Sequence, residues 1–137
     1  MENKFILSCE STVDLPYQYV CDRKIPVLFY TYTVNGVEYE DDMGKNPDSL
    51  KIFYELLDQG YLPSTSQINV FKYERFFEEL VEEYEGEILH IAFGSGMTPS
   101  VNNAYEAAEK VMKNHPGRKI RVVDSLGSCT GYGLLVD

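Results

Sequence analysis

Short apolar runs alternate along the chain with stretches whose apolar residues recur at helical spacing. Residues 4–8 (KFILS) are a run of strand length. Asp14 then caps a short helix, with Pro16 in its first turn, where a missing N–H does no harm. Residues 26–34 (PVLFYTYTV) are β-branched and aromatic, which predicts one strand. Asn35-Gly36 follows, and because both positions tolerate φ > 0 it predicts a hairpin, with residues 37–40 as the return strand.

Helical periodicity sets in over residues 47–59, where Leu50, Phe53, Tyr54 and Leu57 share one face and Gly60 provides a left-handed C-cap. Residues 62–68 (LPSTSQI) are too polar for a core strand and read as a loop or edge segment. Asn69 caps the next helix, which reaches about Tyr84 and carries a core stripe of Tyr73, Phe76, Phe77, Leu80 and Val81. Gly86 stops it. Residues 87–93 (EILHIAF) predict a strand covered on both faces. Thr98-Pro99 is a cap followed by proline at the first helical position, opening a helix to about Asn114. Residues 119–123 (KIRVV) give a further strand, and the segment from Ser128 onward reads as the first turns of another helix. This alternation predicts an α/β fold: a mostly parallel sheet flanked by helices on both faces, with a small β-hairpin near Asn35-Gly36. With 137 residues and no repeat or linker, the chain reads as a single α/β domain over 1–137.

Composition narrows the function. A hydrophobic content of 44% suits a globular core. The formal net charge of −10 argues against nucleic acid, whose phosphates call for Lys and Arg, and against an anionic membrane surface. No run approaches the roughly 18 apolar residues of a membrane helix, so no membrane insertion is expected. Residues 1–4 lead into the first strand without a signal-peptide pattern, and the expected location is cytoplasmic. The three cysteines, Cys9, Cys21 and Cys129, form no C-x-x-C pair and have no nearby His. They read as free buried thiols, and no metal site is expected.

Candidate chemistry lies in four turns rich in hydroxyls: residues 8–12 (SCEST), 64–67 (STSQ), 94–98 (GSGMT), and Asp124-Ser125 with Ser128. Ligands of parallel sheets sit at the carboxyl ends of the strands, where such turns can present donors to a small anion. Gly94-Ser95-Gly96 is the sharpest, because it follows a buried strand and precedes a helix N-terminus. A serine hydrolase would place glycines where Phe93 and Met97 stand, and neither His90 nor His115 is placed as a base; His90 reads as a satisfied core residue. A phosphate-binding loop is excluded, because no Gly-Lys-Ser/Thr occurs. A nucleotide (NAD-like) binding enzyme domain stays open as the alternative, with Gly94-Ser95-Gly96 on the pyrophosphate and Asp124 on a ribose, although Pro99 replaces the third glycine of that motif.

Five segments in order resemble the DegV family of bacterial fatty-acid-binding proteins. The strand followed by T-D-S-T-x-D-L-P is matched by Cys9 to Pro16, with Cys9-Glu10 in place of Thr-Asp. Ile25-Pro26-Val27 and Gly36 to Asp41 resemble the next strand and the G-x-x-Y-x-D element. Pro63 to Gln67 resembles P-x-T-S-Q, and Ser95-Gly96-Met97 the centre of S-S-G-L-S-G-T, with Gly94 replacing its first serine. Asp124-Ser125, Gly131 and Gly133 match the last element, in which Cys129 takes the second serine's place.

The resemblance implies a binding or carrier protein, not an enzyme, that holds a long-chain fatty acid and presents it to a kinase. It implies no cofactor beyond that ligand. Carried over residue by residue, Thr65 and Ser95 grip the carboxylate, with Ser66 and the Gly96 N–H as helpers. It also implies a two-domain protein of about twice this length, so that these 137 residues correspond to the N-terminal domain and the C-terminal lipid-binding domain is absent. On that expectation the fragment alone binds fatty acid weakly or not at all. The face left by the missing domain then invites self-association.

Overall fold

The computed structural model describes residues 5–137; the strand start at Lys4 and the terminus 1–4 lie outside the described residues. Four parallel strands form the main sheet in the order β2-β1-β6-β7: β1 (Phe5–Glu10), β2 (Val27–Leu28), β6 (Glu87–Ala92) and β7 (Ile120–Asp124). A second, antiparallel sheet has the order β4-β3-β5, made of β3 (Thr31–Val34), β4 (Val37–Glu40) and β5 (Ser64–Thr65). The hairpin stands as predicted, with Asn35 at φ 50° and Gly36 at φ 75°. β5 adds to its other edge, so the polar 62–68 segment is an edge strand at Ser64–Thr65.

Residues 26–34 are not one strand. The chain leaves the parallel sheet after Leu28 and joins the antiparallel sheet at Thr31, because the first half pairs with β1 and the second with β4 and β5. That switch separates the sheets and opens the space beside them.

Helices cover both faces of the main sheet. On one, α3 (Val70–Glu83) and α4 (Ser100–Asn114) bury Tyr73, Phe76, Phe77, Leu80, Ala104 and Val111 against Ile88 and Ile120. The α3 stripe is the one the 3.6-residue period predicts, and Asn69 accepts the Lys72 N–H at 2.8 Å as its cap. On the other face, α1 (Tyr17–Asp22) and α5 (Cys129–Val136) bury Val20, Tyr132 and Val136 against Cys9 and Ile91. Side chains alternate along β1 and β6 accordingly. Ser8, Glu10 and His90 meet the α3 side, whereas Cys9 and Ile91 meet the α5 side.

Three details differ from the sequence reading. Asp14 caps no helix: Ser11–Val13 tightens into a 3₁₀ turn that Asp14 closes at φ 58°, and α1 starts only after Pro16. Helix α4 begins at Ser100 with Pro99 just outside it, and the Thr98 hydroxyl accepts the Ser100 N–H at 3.3 Å. Of the cysteines only Cys9 is buried, while Cys21 and Cys129 are exposed.

Helix α2 (Ser49–Asp58) has the expected apolar face and the Gly60 cap, where Gly60 and Tyr61 donate to Leu57 and Leu56. Yet none of its residues is buried, and Leu50 and Tyr54 remain 64% and 59% exposed. Its N-terminal approach is organised by Asp42, whose carboxylate accepts the Gly44 and Asn46 N–H groups and the Ser49 hydroxyl.

Candidate functional site

The carboxyl ends of β1 and β6, the Tyr30–Tyr32 segment, β5 and α2 surround a cleft of about 740 Å³. Its apolar lining includes Leu15, Tyr30, Phe53 and Phe93, and the hydroxyl-bearing residues Ser11, Thr12 and Thr65 also line it. Such a mixture, a large apolar surface with few polar groups, is the usual make-up of a small-molecule site. Strand pairing explains how Thr65 reaches it: β5 aligns Thr65 opposite Tyr32, which lines the same cleft.

Beneath the cleft lies a buried polar cluster centred on Glu10. Its carboxyl group accepts the Phe93 N–H at 2.9 Å and the Tyr73 hydroxyl, and it lies 3.2 Å from His90 Nε2. The Ser8 hydroxyl pairs with His90 Nδ1 at 2.9 Å, so both ring nitrogens are satisfied, as expected of a core histidine. Burial, together with the neighbouring Glu10 charge, pushes the Tyr30, Tyr73 and Tyr132 hydroxyls above the usual phenol range. Burial likewise pushes the Cys9 thiol up to about 12, with Glu10 adding to it. At the cleft wall, burial raises the Asp41 carboxyl against the lowering effect of hydrogen bonds from Ser11 and the Met43 backbone. Among the described residues, the Thr12 and Tyr30 hydroxyls are buried without a hydrogen-bond partner, and both residues line the cleft.

The four residues expected to hold a carboxylate are not all in one wall. Thr65 lines the cleft, while Ser66 lines a smaller, adjoining depression of about 460 Å³ with Gln67 and Lys72. Ser95 and Gly96 are exposed on the turn that leaves the cleft-lining residue Phe93. The Ser95 N–H donates to Asp124 at 3.0 Å, and the Leu126 N–H donates to the same oxygen. Hydrogen bonding from Ser95 and Leu126 holds the Asp124 carboxyl below its usual range. Asp124 therefore closes its own turn through one carboxylate oxygen. Gly94 is packed too tightly for a side chain, since a Cβ there would stand 2.6 Å from the Gly127 carbonyl oxygen. The loop after β7 thus packs directly against the Gly94 backbone. Ser11 and Ser125 hold backbone: Ser11 accepts the Tyr30 N–H at 3.0 Å, and Ser125 accepts the Gly127 N–H at 3.3 Å.

Sequence reasoning placed Glu10 in a candidate turn without giving it a role, and it missed Tyr30 and Phe93. The available signal was a carboxyl residue at the end of an apolar strand. Only the convergence of distant residues shows that it is buried. No group of three or more His, Cys, Asp or Glu among the described residues is arranged to hold a metal ion, and no described helix is long and apolar enough to cross a membrane.

Comparison with known proteins gives the same outline. A family model described as "Uncharacterised protein, DegV family" matches residues 4–137. A DegV domain-containing protein of Clostridium perfringens is 35% identical over 133 residues, which are 97% of this chain and 45% of that protein. Among solved structures, a stearic-acid-binding protein of Eubacterium ventriosum superposes with a TM-score of 0.83 at 22% identity, covering 97% of this chain and 45% of that one. The Fatty Acid Kinase B3 protein of Streptococcus pneumoniae, solved with linoleic acid, gives 0.73 at 19% identity, with 98% and 46% covered. At these identities the two structures show the fold alone. The chain spans about half the length of the relatives it matches.

Proposed function

The chain belongs to the DegV family, and from that premise we propose that it is a carrier which binds a long-chain fatty acid in the 740 Å³ cleft. The observation that carries this reading is the cleft itself: an apolar lining, hydroxyl-bearing residues within it, and a volume within the roughly 300–1,000 Å³ of ligand sites. The acyl chain lies along Tyr30, Phe53 and Phe93, and each buried CH₂ contributes about 0.8 kcal/mol. Thr65 donates its hydroxyl to the carboxylate. Ser66, Ser95 and the Gly96 N–H complete the grip from the neighbouring turns.

Support for the ligand class comes from the relatives described with stearic and linoleic acid. The relative that bears a fatty-acid kinase name supports a kinase as the partner to which the acid is presented; the chain itself is the carrier and not the catalyst. The exposed apolar residues on α2 and beyond, including Leu62 at 88% exposure, leave the chain prone to self-association.

Titration with stearate, followed by NMR of the backbone amides, tests the reading. Shifts confined to the cleft-lining residues, with affinity lowered roughly tenfold or more in Thr65→Val, are the expected result, because a charge-assisted hydrogen bond contributes about 1.5–3 kcal/mol. Stearate that moves no cleft amide at saturating concentration sinks it.

A further inference from the structure

Glu10 is fully buried at the end of β1, directly under the cleft. Its Oε2 atom accepts the Phe93 N–H at 2.9 Å, and its Oε1 atom accepts the Tyr73 hydroxyl and faces His90 Nε2 at 3.2 Å. Its own backbone N–H donates to the Tyr132 hydroxyl at 3.0 Å, and that hydroxyl donates to the Ile91 carbonyl. One residue therefore links the ends of β1 and β6 to α3 and α5. We infer that Glu10 is the positioning residue of the site, fixing the Phe93 peptide from which the Gly94-Ser95-Gly96 turn departs.

The reason is geometric. Phe93 is the last residue before the turn and lines the cleft, with its ring centroid 6.2 Å from that of Tyr30 and 6.3 Å from that of Tyr132. β6 ends at Ala92, so the Phe93 N–H lies just beyond the strand and is held by the Glu10 side chain. A buried carboxyl oxygen accepting a backbone N–H is a strong and directional restraint. It sets both where the Phe93 ring meets an acyl chain and the direction in which Ser95 leaves the strand. Further along, the Ser95 N–H is fixed by Asp124, so two carboxyl groups hold the chain at Phe93, just before the turn, and at Ser95 within it.

The inference rests on the fatty-acid reading for its consequence, but not for its geometry, and hydrogen exchange separates the two. Glu10→Met keeps the length and volume and removes both acceptors. Glu10→Asp keeps the carboxyl group and withdraws it by one methylene. In each, the Phe93 and Ser95 amides are expected to exchange at least tenfold faster while Ile88, at the far end of β6, keeps its rate. Stearate affinity is expected to fall by at least tenfold in parallel. Unchanged exchange at Phe93 and Ser95, or equal acceleration at Ile88, overturns the positioning role. Should Glu10→Met not fold, Glu10→Asp decides by the same criterion. If the wild-type chain binds no stearate while the exchange pattern holds, the positioning stands and the ligand reading falls.

Discussion

The hydroxyl of Tyr132 accepts the backbone N–H of Glu10 at 3.0 Å, although the two residues stand 122 positions apart. It donates in turn to the Ile91 carbonyl, so one phenol bridges the backbones of β1 and β6 where the two strands end. Tyr132→Phe keeps the ring and leaves the Glu10 N–H buried without a partner. An unsatisfied buried donor costs about 1–3 kcal/mol. Urea denaturation is expected to show a loss in that range with an unchanged m-value, whereas a loss below about 0.5 kcal/mol would mean that water replaces the phenol.

Two glycines in α5 are expected to respond in opposite directions to alanine. A Cβ on Gly133 would meet the Val13 carbonyl oxygen at 2.7 Å, a backbone atom that cannot swing aside. Gly133→Ala should therefore cost about 1–3 kcal/mol through overpacking. Gly131 has nothing within 4 Å of its Cβ position, and Gly131→Ala should stabilise by about 0.5–1 kcal/mol through helix propensity. Paired thermal melts check both, and equal effects of the same sign contradict the packing of α5 on the Ser11–Val13 turn.

Alkaline pH supplies a third check. The Cys9 thiol is pushed up to about 12, from an ordinary value of 9.0, by burial and the nearby Glu10 charge. Tyr30, Tyr73 and Tyr132 are raised in the same way. A group whose folded value is raised holds its proton longer in the native state, so its contribution is full below the unfolded value and is lost as pH rises. Stability is therefore expected to decline from about pH 9 upward as the unfolded chain ionises first. At pH 8 a thiol reagent should modify the exposed Cys21 and Cys129 promptly and Cys9 only after unfolding. Modification of all three thiols at one rate in the native protein contradicts the burial of Cys9.

Where local pattern and final environment coincide, the sequence is a good guide. The α3 stripe from Tyr73 to Val81 has a helical period and ends up buried, and Asn35-Gly36 has the φ values its hairpin requires. The break between Leu28 and Thr31 leaves no such trace, because both halves of the 26–34 run have strand composition and only their pairing partners differ. Thr65, which lines the cleft, is legible as a candidate through its hydroxyl-rich segment. The role of Glu10 is not, since its partners Tyr73, His90 and Phe93 lie 63, 80 and 83 positions away, and a lone Glu ordinarily faces water. Helix α2 shows the reverse: its apolar face is plain in the sequence, but among the described residues nothing buries it.

That exposed face makes α2 the element most sensitive to the segment that leads into it. With no buried residue, α2 gains little from packing, and an isolated ten-residue helix is marginal in water. What orders its approach is Asp42, which accepts from the Gly44 N–H at 3.0 Å, the Asn46 N–H at 3.1 Å and the Ser49 hydroxyl at 2.7 Å. Burial alone would raise the Asp42 carboxyl, but these hydrogen bonds and nearby Lys45 outweigh it and hold the group below its ordinary 3.8. A lowered folded value means that the stabilisation is present above the unfolded value and lost as pH falls through the folded one. Acidification below about pH 4 should therefore loosen α2, and Asp42→Ala should do so at neutral pH. Hydrogen exchange is expected to show α2 amides losing protection in Asp42→Ala while those of α3 keep theirs. Because Leu50 and Phe53 line the cleft, the same variant should also weaken any stearate bound there. Equal protection of α2 in wild type and Asp42→Ala would show that contacts along the cleft, and not the Asp42 hydrogen bonds, hold this helix in place.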